Sequence, residues 1–312
     1  MEKPFTAEEP SHQHAQNEPP LVWIVVLHFL GTSSTKQCLE SLRTQTGVPF
    51  RVLLVDNGSP EREIEILAKQ FPEVDFVSLP ENLGFAGGCN FGFRYSLERG
   101  AQWVWFLNSD ATVESDTLQI LINRVDRRPE IAAAGPLVFD ANGELSSGAG
   151  EIDYLKARVK SLTEKTGDIV FCDWLSGCAL LVRVEAFKAV GGFDENYFLY
   201  FEDTDLCVRL QESHGKCALV GSAKIKHVGN VSTKGRYDHW RSYYHSRNRM
   251  LFFLTRLKGR SAVVASVSIY AHLLRHLLVL PFRGEAARRQ LKAELRGCRD
   301  FLQNKFGRAE GL

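Results

Sequence analysis

Residues 102–110, QWVWFLNSD, run a short apolar stretch straight into a polar tip. An unbroken apolar run of this length fits a strand buried on both faces, as in a parallel sheet covered by helices. The same grammar recurs on either side. LVWIVVL (21–27) reads as a first strand and RVLLVDNGS (51–59) as a second, ending in the turn residues Asp56, Asn57, Gly58 and Ser59. Residues 74–79 read as a third strand and IAAAGPLVF (131–139) as a fifth. Helices are expected between them at 33–44, with Ser33 or Ser34 as N-cap, at 61–71, at 86–98 and at 115–127. Strands alternating with helices at this spacing imply an α/β fold with a mostly parallel central sheet and right-handed crossovers. Ligands of such sheets bind beyond the carboxyl ends of the strands. The tips Asp56–Ser59 and Asn108-Ser109-Asp110 therefore frame a polar, metal-capable mouth.

Beyond Phe139 the rhythm breaks. Within 140–170, ANGELSSGAG (141–150) reads as a turn-rich loop and the charged stretch after it shows no period; 173–187 reads as a strand and a helix start, and 191–211 as a loop entering a helix. A further strand with His227 follows in 216–229, then a helix rich in Arg and Tyr at 238–257. Residues 1–20 carry four prolines and four glutamates without an apolar stretch, which reads as a disordered lead-in, not a signal peptide. His12 and His14 in it read as solvated. The division expected is a tail at 1–20, a main domain at 21–257 and a helical extension at 258–312.

The 38 Lys+Arg balance 37 Asp+Glu, so the net charge of +1 argues against nucleic acid as a partner. Seven cysteines without a CxxC pair exclude a zinc ribbon or a thioredoxin-type motif, and read as reduced, buried thiols. Residues 261–282 approach the length of a membrane span, but His272, Arg275 and His276 interrupt their second half. Two readings stand equal: an amphipathic helix on a membrane surface or partner, and an ordinary packing helix.

Four constellations could carry chemistry. In Asn108-Ser109-Asp110 a carboxylate flanked by an amide and a hydroxyl can hold Mg²⁺ or Mn²⁺, with water and substrate phosphates completing the shell. The same tripeptide also suits a turn that starts the next helix. Glu202-Asp203-Thr204-Asp205 packs three carboxylates at a helix start, more than the helix dipole accounts for. Beside the apolar YFLYF (197–201), one of them with a raised pKa would act as a general base, while Asp205 by spacing faces the protein. His227, followed by glycine, suits a metal or diphosphate ligand or a structural role. Lys234, Arg236, Arg241, Arg247 and Arg249 add a cationic neighbourhood able to attract phosphates. The glycine-rich ENLGFAGGCN (81–90) allows backbone to approach a nucleotide, yet it is neither a P-loop nor GxGxxG.

Together CLESLRTQT (38–46), LLVDNGS (53–59), ENLGFAGGCNFG (81–92), WFLNSDA (105–111), residues 174–210 with GGFDENYFLYFEDTDLC at their heart, and HVGNVST (227–233) resemble glycosyltransferase family 2, in its bacterial rhamnosyltransferase-like branch. A weaker match runs through YYHSRNRMLFF (243–253) and Gly297–Asp300, so the likeness covers roughly residues 21–306. The resemblance implies a GT-A fold and inverting, metal-dependent transfer of a sugar, rhamnose foremost, from a dTDP- or UDP-linked donor. The implied acceptor is a glycan or lipid-linked hydroxyl in cell-surface polysaccharide synthesis, and the implied location is the cytoplasm, with peripheral contact at the inner membrane. It assigns Asp203 as catalytic base and Asp110 and His227 as holders of Mg²⁺ or Mn²⁺. Asp56, Asn82 and Asn90, with Asn108 and Ser109, fall to the nucleotide-sugar, and His28 joins them on weaker ground. Trp174 and Glu202, with Ser176 and Gly177, fall to the acceptor. Two positions depart from the pattern: Asn108 replaces an aspartate of the metal motif, and His28-Phe29-Leu30 replaces Asn-Tyr-Asn. Two rivals follow: a nucleotidyltransferase, and a non-catalytic transferase-like scaffold.

Overall fold

The computed structural model of the chain describes residues 21–60, 64–146, 148–162, 167–229, 238–257, 259–279 and 284–311. The expected lead-in with His12 and His14, and Lys234 and Arg236, lie outside the described residues.

The first seven elements follow the βα alternation: β1 (Val22–His28), α1 (Thr32–Arg43), β2 (Phe50–Asp56), α2 (Ile64–Gln70), β3 (Asp75–Ser78), α3 (Gly84–Leu97) and β4 (Trp103–Asn108). They build a parallel block in the order β3-β2-β1-β4. Successive residues of β1 enter opposite cores. Trp23 and Val25 pack on one face, and Val22, Ile24 and Val26 on the other. That two-sided burial is why these strands are apolar without alternation.

The glycines of 81–92 turn out to serve packing. A Cβ at Gly88 would strike Leu27, and one at Gly92 would strike Val25, so α3 lies directly on β1. Helix α1 differs from expectation at its start. Its N-cap is Gly31 in the left-handed region at φ 81°, and no side chain caps it. Gly31 follows Leu30, itself at φ 65°, so the chain turns sharply before Ser33 is reached.

The second half is β5 (Ala111–Val113), α4 (Thr117–Val125), β6 (Ile131–Phe139), β7 (Ala149–Asp153), β8 (Arg158–Ser161), β9 (Ile169–Cys172), β10 (Trp174–Leu175), β11 (Ala179–Arg183), α5 (Val184–Ala189), α6 (Glu202–Ser213) and β12 (Lys216–His227). Strand β11 joins β4 and β6 antiparallel, and β12 joins β6 in parallel, extending the large sheet through β4-β11-β6-β12-β5. The stretch 140–170 is not a plain loop. It contributes β7 and β8 to a second, three-stranded sheet ordered β10-β7-β8, and β9 to the edge of the main one. Gly150 permits that small sheet, because a Cβ there would meet the backbone of Lys160 and the indole of Trp174.

Three helices close the chain: α7 (Asp238–Arg256), α8 (Gly259–Val279) and α9 (Glu285–Leu302). Gly297 lets α9 approach α7 at Tyr243 and Ser246, and the buried Asp300 accepts from Tyr243 Oη at 3.0 Å. All seven cysteines are buried and free. Among the described residues no helix is long and apolar enough to cross a membrane.

Candidate active site

Strand register assembles one rim. His28 ends β1 opposite Asp56 at the end of β2, and Asn57 N donates to His28 O at 2.8 Å. Asp56 is buried, and its Oδ1 accepts Ser59 N at 3.0 Å, closing the tip as an Asx turn. The buried His28 ring lies with Nδ1 2.7 Å from Thr35 Oγ1, so the first turns of α1 orient it. Asn82 Oδ1 accepts Gly84 N at 2.8 Å and Asn57 Nδ2 at 3.1 Å. Asn57 in turn bonds Leu83 N and Gly84 O. Sequence reasoning saw Asn57 only as a turn residue, yet its amide staples the two tips together. Asn90 goes elsewhere: its amide bonds both backbone groups of Phe193 and Glu195 Oε1, each at 2.9 Å. The structure therefore holds Asn90 against the 193–195 loop, with no hydrogen bond from its side chain to Asp56 or Asn82 among the described residues.

The second cluster forms where β5 pairs with β12. His227 lies opposite Ala111 in that antiparallel pairing, next to Asp110. Asp110 Oδ1 is 3.0 Å and Asn108 Nδ2 3.2 Å from the same atom, His227 Nε2. One imidazole nitrogen cannot accept from the amide and donate to the carboxylate at once. Three polar side chains thus converge on a point where their mutual hydrogen bonding is incomplete. Ser109 is buried between them in sequence. One carboxylate, one imidazole and one amide form a sparse donor set, which suits a cation that keeps water and phosphate oxygens in its shell.

The third cluster is the start of α6. Asp203 Oδ2 accepts Gly177 N at 2.9 Å, and its Oδ1 accepts Thr204 N at 2.7 Å and Thr204 Oγ1 at 3.3 Å. Burial pushes the Asp203 carboxyl up from its ordinary range, and these hydrogen bonds pull part of the way back. Cys178, next to Gly177, accepts Asn108 N at 2.9 Å, so one short turn ties the second cluster to the third. Glu202 is 4 % exposed, and its Oε2 has no partner among the described residues. Burial, with the Asp203 charge adding to it, raises Glu202 well above the glutamate range. Asp205 faces inward as expected, bound by Arg209 Nε at 2.6 Å and by Arg256 from α7. Trp174 is buried in the small sheet, three residues before Gly177.

The segment leading to Asp203 is strained. Phe198, Tyr200 and Phe201 have φ of 63°, 70° and 73°, each a cost of about 1–3 kcal/mol for a residue with a Cβ. Asn248 on α7 holds it there: its Nδ2 donates to the carbonyls of Tyr197, Leu199 and Tyr200 at 2.8–2.9 Å. Arg247 donates to Asn196 O, Tyr197 O and Gly307 O, and its Nε orients Asn248 Oδ1 at 2.9 Å. Both side chains are fully buried. Arg247 is therefore no part of a phosphate-attracting surface, as its charge in the sequence suggested; it is a clamp. Only the adjacent Arg-Asn pair in an amphipathic helix hinted at this.

The model of Glycosyl transferase family 2 matches residues 23–189, and that of the N-terminal domain of galactosyltransferase matches 167–241. Among relatives, an N-acetylglucosaminyl-diphospho-decaprenol L-rhamnosyltransferase of Mycobacterium tuberculosis is 29% identical, covering 86% of this chain and 96% of its own length. A dTDP-rhamnosyl transferase of Shigella flexneri is 28% identical over 64% of this chain and 69% of its own. Among solved structures, a mannosyltransferase from Pyrobaculum calidifontis in complex with GDP-Man and Mn²⁺ superposes with a TM-score of 0.54 at 14% identity, over 93% of this chain and 89% of that one. The fold is the GT-A glycosyltransferase fold, and the protein is a sugar-transferring enzyme. Within that class the chain belongs to glycosyl transferase family 2.

Proposed function

We propose that this enzyme moves L-rhamnose from a dTDP-linked donor to a hydroxyl of a lipid-linked amino sugar or glycan in cell-surface polysaccharide assembly, with inversion at the anomeric carbon. The observation that carries the reading is the joint between Asp203 and the Asn108–Asp110–His227 cluster through Gly177 and Cys178. In this reading Asp203 is the base and the Asn108–Asp110–His227 cluster faces the diphosphate. The substrates come from what the two rhamnosyltransferase relatives are named for, the first matched along nearly its whole length.

In this reading Asp203 takes the proton of the acceptor hydroxyl as its oxygen attacks the anomeric carbon from the face opposite the leaving group. A single displacement forms the new glycosidic bond and releases the nucleoside diphosphate. The amides of Gly177 and Thr204 fix the carboxylate, and burial makes it a stronger base than a solvated aspartate. Glu202, uncharged, keeps a second negative charge away from it. His28, Asp56 and Asn82 line the nucleotide side, and Trp174 stands with Glu202 behind the acceptor side. Asp110 and His227, with Asn108 beside them, would hold Mg²⁺ or Mn²⁺. Such an ion, when bound, supplies charge neutralisation for the departing diphosphate. The donor and acceptor classes put the enzyme at the cytoplasmic face of the inner membrane.

The test supplies the full chain with dTDP-rhamnose, a synthetic N-acetylglucosaminyl-diphospho lipid and Mn²⁺ or Mg²⁺, with and without chelator. Release of dTDP with a rhamnosylated product of inverted configuration, lost on chelation and in Asp110→Ala, is the expected result. Pyrophosphate release from a nucleoside triphosphate would identify a nucleotidyltransferase. Absence of transfer from any nucleotide sugar would sink the proposal.

A further inference from the structure

A cavity of about 840 Å³ opens between β8, α7, α8 and α9, behind the segment that carries the base. Arg158, Arg241, Arg249 and Arg275 line it, with Glu294 as the one carboxylate among the described lining residues. Arg158 pairs with Asp153 at 3.6 Å, whereas Arg241, Arg249 and Arg275 form no ion pair with a described carboxylate. Arg249 is anchored through Nε and Nη2 to the carbonyls of Ala157 and Lys156, which leaves its Nη1 without a partner among the described residues. His245 adds no charge, because burial and the neighbouring Arg241 hold it down at about 4. Guanidinium groups gathered in a cavity with so little counter-charge match a multiply charged phosphate ligand.

Two further observations narrow that ligand. Phe201 lines the cavity and precedes Asp203 by two residues, at most about 7 Å of chain. The cavity thus lies against the backbone that leads into Asp203. Helix α8 also presents two faces. Ile269 and Arg275 line the cavity, while Val263, Val267, Tyr270, Leu274 and Leu278 form an exposed apolar stripe at one-face spacing. A cationic cavity backed by an exposed apolar stripe fits an amphiphile with an anionic head.

We infer that this cavity binds the diphosphate of a lipid-linked acceptor, with the lipid chain leaving along α8 toward a bilayer surface. The inference rests on the transfer reading above for the acceptor's role, and adds the site that recognises it. A sugar-diphospho-lipid seated here presents its hydroxyl to Asp203 and is told from a free sugar by the arginines.

The probe is farnesyl diphosphate, titrated calorimetrically into the full chain beside inorganic pyrophosphate and farnesol. Arg241 and Arg275 are exposed at the cavity, so the double variant Arg241→Gln/Arg275→Gln keeps the packing intact. Farnesyl diphosphate should bind tighter than either control, and the double variant should weaken it by about tenfold or more, as loss of two charged contacts requires. Unchanged affinity in the variant overturns the proposal. Pyrophosphate binding as tightly as farnesyl diphosphate, with equal sensitivity to the variant, replaces the lipid by a free phosphate and overturns it too. Rhamnose transfer assayed on the same samples separates the two readings. An inactive chain that still loses farnesyl diphosphate binding on substitution strikes the transfer reading alone. An active chain whose binding ignores the arginines strikes the cavity alone.

Discussion

The rim at the ends of β1 and β2 and the rim at the start of α6 are held by different means. On the first, His28, Asp56, Asn57 and Asn82 occupy the ends of adjacent parallel strands and the turn beside them. Their bonds join neighbouring tips, Asn57 to His28 and to Asn82, or close a single tip, Asp56 to Ser59 and Asn82 to Gly84. On the second, Asp203 follows three residues in the left-handed region, and the side chains that keep them there come from α7, some 48–51 positions away in sequence. A rim built on strand register is placed by the sheet itself. A rim built on strained backbone depends on a remote clamp, and strain of this kind gathers at functional sites because it aims a group that relaxed backbone would not.

The largest effect should come from the group so aimed. Asp203→Asn keeps the shape but removes the proposed base, and transfer should fall by about 10²–10⁴-fold while nucleotide binding persists. A calorimetric titration with dTDP and Mn²⁺ beside a transfer assay checks both halves. Lost nucleotide binding with transfer retained would break the division of the site into two rims.

Next is the clamp. Asn248→Ala empties a fully buried position and strips the side-chain donor from the carbonyls of Leu199 and Tyr200, and stability to urea should drop by about 3 kcal/mol. The matching truncation at the half-buried Asn82 should cost about 1 kcal/mol, because water can reach the groups it leaves. Equal losses at the two positions would erase the contrast.

The last effect is electrostatic, and it is read as a slope against pH at one carboxyl. Folded Glu202 keeps a proton that the unfolded chain releases above the ordinary glutamate range. Stability contributed by that proton is complete below the unfolded value and is lost as pH rises toward the raised folded one. Glu202→Gln carries no such loss. Its stability relative to the parent should rise with pH by about 1.4 kcal/mol per unit across that window. Melting curves at about pH 4 and about pH 8 read the difference, and a constant offset would contradict a neutral Glu202.

Much of the first half could be read in advance because its signals are local. Continuous apolar runs mark strands buried on both faces, and polar residues at their ends mark the mouth. The convergence of Asp110 with His227 was reachable only through the family likeness, since the β5–β12 pairing that joins them spans more than a hundred residues. The small sheet of 140–175 stayed hidden for another reason. Its strands are short, partly polar and interrupted by glycine, so neither period nor composition announces them. The glycines of 81–92 suggested a nucleotide cradle, but Gly88 and Gly92 serve the contact of α3 with β1.

By itself the sequence determined the α/β alternation, the two polar tips and the carboxylate cluster at the start of α6, because each depends on residues within one strand, turn or helix. Tertiary structure alone decided how the three carboxylates differ. Asp203 meets the Gly177 amide, Asp205 is bound by Arg209 and Arg256, and Glu202 is buried with its pKa raised. It also turned Arg247 from a surface cation into a buried clamp and left Arg241 and Arg275 around a cavity. A charged residue's role is set by the dielectric and the partners around it, and those come from segments far apart in the chain.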